Sequence, residues 1–409
     1  MMKPVMFLAT AFLANLLACQ SLNRSSRSAA ALSGPEGPGP RALHTAVWTG
    51  SGMLVWGGTT QAKSHTPPPQ GSPDRVFDPA DTGYGWTATP DSKAIVTEDA
   101  GIYDPDDESW EQLPGPQPEN RYYHSSNWTG SELLVWGGIG GNLGEPVNTG
   151  FIFNPESAAP WTPISMDFAP TPRAGHGAAW TGEELVVWGG QTGDGLWGDG
   201  AIYERQRDTW RVLPQLQVPS PRAFHGTAWT GTEMLVWGGL GEKGALHDGY
   251  ALDPKTGDWK ELSSIDAPTA RFGHLAVWTG NSFIVWGGKN DKDDFFNSGG
   301  IYDPKSEHWK PLPKVNAPSP RQLFAHVWTG THLIVWGGHN GQKAFNDGAA
   351  FDPATNTWLT IAPQDGVEAR YMHSLVWTGS ELIIFGGRNG AGELLPQPEN
   401  GRVLRFATP

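Results

Sequence analysis

The chain has 409 residues with 42 acidic against 28 basic side chains, a formal net charge of -14, 54 glycines, 35 prolines, 21 tryptophans and one cysteine. Excess carboxylate disfavours a nucleic-acid partner, because phosphate binding is driven by clustered Lys and Arg that release counterions. A single thiol excludes a disulfide framework.

Residues 1–18 open with Lys3 and continue as an apolar stretch from Val5 to Leu17, broken by Thr10 and Asn15. That stretch is too short to persist as a spanning helix and has the layout of a secretion signal. Small Ala18 precedes Cys19. The run Leu16-Leu17-Ala18-Cys19 resembles the bacterial lipobox, which implies acylation of the Cys19 thiol and cleavage ahead of it. Acyl chains there would give stable attachment to a membrane, and Gln20 in place of Asp implies the outer membrane, facing periplasm or exterior. Residues 19–27 are expected to be a tether, inside a stretch rich in Ser, Ala, Gly and Pro.

From Arg41 onward one unit recurs seven times, beginning at Arg41, Arg121, Arg173, Arg222, Arg271, Arg321 and Arg370. Five of the six intervals span 49–52 residues and the first spans 80. Self-similarity at a fixed period takes precedence over length in counting domains. Each unit predicts four strands. The first runs from a His to a Trp, and Trp-Thr-Gly forms a hairpin turn that needs the positive φ of glycine. The second is a continuous apolar run, such as Leu133-Leu134-Val135-Trp136, which must be covered on both faces. Gly-Gly ends it. A variable loop leads to the third strand, for example Gly300-Ile301-Tyr302-Asp303-Pro304, and a turn then carries a Trp seven residues after the aromatic, as with Tyr203 and Trp210.

Four-stranded units that need neighbours on both sides satisfy themselves by radial packing. An apolar strand, Gly-Gly, then spaced Tyr and Trp resembles the Kelch repeat over nearly the whole mature chain. The resemblance implies an all-β, seven-bladed β-propeller of four-stranded antiparallel blades over residues 28–409. The seventh copy ends after its third strand, and Leu32 stands nine residues before Arg41, as aliphatic residues of the other fourth strands precede their Arg. The segment 29–33 is therefore expected to supply the missing outer strand and close the ring. An insertion at about 59–100 in the first blade is expected to be a surface loop or a small hairpin. It contains Phe77-Asp78-Pro79 and Trp86 at the wrong spacing for a blade.

Nineteen of the 21 tryptophans occupy repeated positions, which points to burial between sheets. At about 25 cal/mol per Å² over roughly 200 Å², each could contribute up to about 5 kcal/mol. Only Trp86 and Trp197 are unassigned. The repeat Arg is followed after three residues by His44, His124, His176, His225, His274 and His373, with Phe324 in the sixth copy and His326 displaced by two. Metal ligands must converge on one ion, and equivalent positions on different blades cannot, so no metal site is read here. These Arg and His side chains are expected to bond to loop carbonyls and carboxylates.

In Kelch propellers ligands generally bind the face that carries the Gly-Gly loops. The resemblance therefore directs attention to Lys289, His339 and Arg388, which follow Gly-Gly in three adjacent copies and could hold an anionic ligand. Trp197 is the candidate exposed aromatic for sugar stacking, and Phe324 marks the broken His ring. The expected role is an envelope scaffold for a glycan, peptide or envelope protein. The alternative is a carbohydrate-active enzyme similar to the six-bladed sialic acid mutarotases. A copper radical oxidase needs a Tyr–Cys cross-link, and the only Cys is at the lipidation position. No catalytic residue and no cofactor is identified.

Overall fold

The computed structural model describes residues 30–32, 37–60, 76–77, 85–86, 99–140, 144–193 and 195–404. The expected signal peptide, Cys19 and the tether lie outside them.

Among the described residues the chain is all-β, and its strands include seven four-stranded antiparallel sheets, the form that propeller blades take. In the second repeat the strands are Ser125–Trp128, Leu133–Trp136, Gly150–Phe153 and Trp161–Pro163, paired in chain order. Repeats one and three to six follow the same order. The predicted aromatic pairing sets the register of the outer strands, with Tyr103 opposite Trp110, Tyr203 opposite Trp210 and Tyr302 opposite Trp309. The seventh repeat contributes Ser374–Trp377, Leu382–Phe385 and Gly401–Leu404, and its fourth strand is Ala30–Ala31 from the other end of the chain. Ala30 pairs with Val403 and Ala31 with Arg402, and the Leu32 amide donates to Gly401 O at 3.2 Å. Leu32 is buried beside them. Within the insertion, Val76–Phe77 pairs with Gly85–Trp86 as a two-stranded ladder.

The second strand of every repeat is buried along its apolar run, because alternate side chains enter different cores. Leu133 and Val135 pack with residues of repeat one, whereas Leu134 and Trp136 pack with repeat three. Each of seven clusters joins two repeats that are neighbours in sequence, or the first with the last through Met53, Val55, Ile383 and Phe385. The Trp before Gly-Gly meets the fourth-strand Trp of the next repeat, as Trp136 meets Trp210 at 5.5 Å and Trp286 meets Trp358 at 5.6 Å between ring centroids. Phe385 takes the same place against Trp110 at 5.2 Å. The seven Trp-Thr-Gly indoles differ from the others. They sit at the hairpin end of the first strand and are only half-buried.

Strands alternate in direction, so the loops after Gly-Gly and the connections from a fourth strand into the next repeat share one end of the sheets. The Trp-Thr-Gly and Asp-Pro turns share the other.

Candidate binding site at the Gly-Gly face

The foundation of this face is the repeat Arg. All seven are fully buried, and each donates through Nη1 to the carbonyl of the first Gly of Gly-Gly, 16 residues on, at 2.9–3.3 Å. Nε donates to the carbonyl two residues back. The amide of the second Gly donates to the Arg carbonyl of the following repeat, from Gly58 to Arg121 at 2.9 Å through to Gly387 to Arg41 at 2.8 Å. Glycine is required there. The second Gly has φ of 82–102°, and a Cβ would stand 2.6–3.0 Å from a backbone carbonyl oxygen. Gly-Gly therefore stitches neighbouring repeats together as well as ending a strand.

Burying seven guanidinium groups makes an unbonded donor costly, and among the seven only Arg121 Nη2 is left without a hydrogen-bond partner. Four have a carboxylate: Asp99 for Arg41, Asp199 for Arg173 at 2.9 Å, Asp248 for Arg222 at 2.9 Å and Asp347 for Arg321 at 2.8 Å. Arg121, Arg271 and Arg370 rely on carbonyls such as Thr149 O, Ser298 O and Glu399 O. Burial lowers Arg121 and Arg271 to about 10, and burial together with nearby Arg402 lowers Arg370 to about 9. Aromatic rings cover several of the guanidinium planes, among them Phe345 at 4.0 Å from Arg321 and Phe296 at 4.5 Å from Arg271.

Two residues after each Arg the chain takes a left-handed conformation. Leu43, Tyr123, Gly175, Phe224, Gly273, Leu323 and Met372 have φ of 54–63°. Backbone hydrogen bonds link them across repeats: Leu43 donates to Met372 O, Met372 to Leu323 O, Gly273 to Phe224 O, Phe224 to Gly175 O and Gly175 to Tyr123 O, at 2.8–3.3 Å. Five of the seven are bulky residues in a region that such side chains seldom adopt, and strain of this kind persists where surrounding structure enforces it. Glycine in two copies was the only trace in the sequence.

Beneath this collar lies the His layer. Each ring packs edge-on against the aromatic that ends the second strand of the preceding repeat, with centroids 5.0–5.5 Å apart. Phe324 substitutes against Trp286, and His44 meets Phe385. Of the carbonyls and carboxylates expected as partners of these histidines, backbone groups serve His124, His274 and His373, and hydroxyls take the place of carboxylates. His44 shares a hydrogen bond with Ser374 Oγ at 2.8 Å and His124 with Thr45 Oγ1 at 2.5 Å, whereas His176 and His225 have no ring-nitrogen partner. Loss of hydration, reinforced by the neighbouring Arg, holds His124 and His225 down to about 3 and His44, His176 and His373 well below their usual range. The layer is neutral near pH 7.

A cavity of about 300 Å³ opens among repeats six, seven, one and two, with Leu43, Tyr123, Leu323 and Met372 in its wall and His44, His124, Phe324 and His373 deeper. Beyond Tyr123, the Phe224 ring lies over Gly175. A Cβ on Gly175 would meet its ring at 2.7 Å, and Tyr123 packs on it at 5.6 Å.

Of the residues singled out by sequence, Phe324 lines this cavity. The basic arc does not present free charge. Lys289 is 2% exposed and bound to Asp293 at 2.7 Å, and Arg388 is 3% exposed with Nη1 donating to Gly392 O at 2.9 Å. His339 accepts from the Gly341 amide through Nδ1 and packs on Tyr371. Trp197 is half-buried, with its ring 5.5 Å from the Arg173 guanidinium. Its backbone joins Gly190 O and the Arg222 amide, the role that Val147, Leu246, Phe296 and Phe345 have in their own repeats. It is a variant of a repeated packing position.

The sequence matches the KLHDC2/KLHL20/DRC7 Kelch-repeats domain over residues 82–267 and 263–396. The chain belongs to the Kelch-repeat family. Kelch-repeat domains generally serve as protein-interaction modules. No curated protein matches the sequence.

Proposed function

We propose that the Kelch repeats form a closed seven-bladed propeller over residues 28–409, exported by the signal at 1–18 and held by an acylated Cys19 and the tether 19–27 on the outer membrane. There it acts as an interaction module that takes a short segment of an envelope protein at its Gly-Gly face. Ring closure is supported by the pairing of Ala30–Ala31 with Gly401–Leu404 and by the Gly387 to Arg41 bond, which repeats between the last and first units the contact made at the other seams.

The observation that carries the binding reading is the half-open mouth. Leu43, Tyr123, Leu323, Phe324 and Met372 offer an apolar socket, and the neutral rings of His44, His124 and His373 complete its lining. Such a lining suits an inserted apolar or aromatic side chain flanked by backbone groups better than an anionic sugar. Lys289 and Arg388 are already engaged within their own loops.

A photo-crosslinking residue in place of Tyr123, with Val212 on an outer strand as control, tests this in an envelope preparation. The expected outcome is an adduct with a discrete envelope protein from position 123, lost on Met372→Asp, and none from position 212. Retention on a glycan array that depends on Phe324 and Met372, without any protein adduct, would replace the peptide reading with a glycan one.

A further inference from the structure

Four successive connections from a fourth strand into the next repeat carry large apolar side chains at their tips: Met166 and Phe168, then Leu216, Ile265 and Val315. Their exposures are 52, 77, 80, 64 and 77%. The turns share a geometry. The carbonyls of Met166, Ser264 and Lys314 accept from the amides of Ala169, Ala267 and Ala317, and the second central residue has positive φ at Phe168, Gln217, Asp266 and Asn316. Leu216, Ile265 and Val315 each stand six residues before the repeat Arg, at the first central position of the turn, where the backbone reverses and little covers a side chain. In the earliest turn Phe168 takes the strained position itself, at φ 64°. The row then stops. The turn from Gln364 to Val367 keeps the hydrogen bond but has Asp365 and Gly366 at its centre.

We propose that this row of turn tips rests on a lipid surface. Equivalent positions of successive repeats lie at one end of their sheets, so the tips project from one face and are separated by whole sheets. A protein partner gains most from a continuous desolvated centre. Separate prongs can each enter the boundary between headgroups and acyl chains independently. The row lies on the connections from repeat two to repeat six, and the cavity opens among repeats six, seven, one and two, so the two share no residue. Asp167, Asp266 and Lys314 stand exposed beside the tips, so the row carries no excess of cations, and with a chain net charge of -14 the fitting surface is zwitterionic. Ala30, the first described residue, follows Cys19 by eleven positions, a span of about 36–40 Å when extended, which lets a chain anchored at Cys19 lay this face on the same bilayer. That last step rests on the anchoring proposed above.

Full-length protein carrying Cys19→Ser and one new cysteine, Leu216→Cys, Ile265→Cys or Asp365→Cys, is labelled with an environment-sensitive fluorophore and titrated with phosphatidylcholine vesicles. Cys19→Ser removes the acylation site, so the outcome does not depend on anchoring. The expected result is a blue shift at positions 216 and 265 and none at 365, with the shifts abolished by adding Phe168→Asp and Val315→Asp. Positions 168, 216, 265, 315 and 365 are on exposed turns, so these variants keep the fold. Unchanged emission at 216 and 265 overturns the proposal even if the protein floats with vesicles, because attachment through the N-terminal segment alone leaves the labels in water. A blue shift that appears without vesicles and grows with protein concentration overturns it in favour of contact between protein copies.

Discussion

The Arg and Gly-Gly layer and the collar two residues along the chain from each Arg lie on the same face, and they differ in what they tolerate. In the first, every repeat uses the same atoms: a buried guanidinium, a glycine carbonyl 16 residues on and a glycine amide reaching the next Arg carbonyl. In the second the backbone conformation repeats while the side chain ranges from Gly175 to Phe224, Leu323 and Met372. Uniformity marks what each seam requires. Variation marks where the seven repeats can differ, and it is there that Phe224 packs against Tyr123 while Leu43, Leu323 and Met372 line an open cavity.

The comparison breaks most severely if the Arg layer proves dispensable. Arg222→Met, which leaves Asp248 without its cation, should cost about 3–5 kcal/mol in urea unfolding. Arg271→Met, which strands only carbonyls and a hydroxyl, should cost less. Equal losses would show that the carboxylate adds nothing to the seam.

Glycine offers a sharper contrast, because Gly338 and Gly379 share φ 102°. A Cβ on Gly338 would sit 2.8 Å from Gln322 O, whereas nothing lies within 4 Å of one on Gly379. Gly379→Ala should cost about 1–2 kcal/mol from backbone strain alone. Gly338→Ala should cost at least about 3 kcal/mol, since carbonyl and chain must also shift. Matching melting temperatures would refute the stitching role of the second glycine.

In the collar, Phe224→Ala should cost about 2 kcal/mol, at the low end for truncating an aromatic because the ring is half-buried. It should also extend the cavity toward Gly175. A bulkier ligand accepted by the variant and refused by the parent, measured by calorimetry, would bear this out; unchanged selectivity would deny that Phe224 is the plug.

A further contrast concerns pH. The histidine rings are held below their unfolded value near 6.5, with His124, His225 and His274 at about 3. The unfolded chain therefore binds more protons between those limits. Their contribution is complete above about pH 6.5 and is lost progressively as pH falls toward 3. His225→Phe, which copies the natural Phe324 solution, should flatten the decline between pH 6 and 4 by up to about 1.4 kcal/mol per pH unit. An unaltered slope would show that this ring is solvated in the fold.

Much of the fold was legible because the evidence for it is local and repeated. Leu133-Leu134-Val135-Trp136 reads as a strand covered on both faces wherever it is placed, and the spacing of Tyr203 and Trp210 sets a register that the sheet then shows. The candidate site was legible only in part. Phe324 was found as a break in a pattern. Lys289, Arg388 and Trp197 were chosen as irregular loop residues, yet each is engaged by its own repeat. A basic side chain after Gly-Gly looks the same in sequence whether it points into water or curls back onto Asp293.

The sequence alone determined the period, the strands, the positions that must be buried and the residues available at each turn, because alternation, glycine and recurrence act over a few neighbouring residues. Tertiary structure alone decided that Gly-Gly joins one repeat to the Arg of the next, that the left-handed residues are linked across repeats in a group of three and a group of four, and that the Phe224 ring packs over Gly175 and Tyr123. Those outcomes depend on which side chains meet from repeats some 50 or more residues apart, a relation that no local pattern encodes.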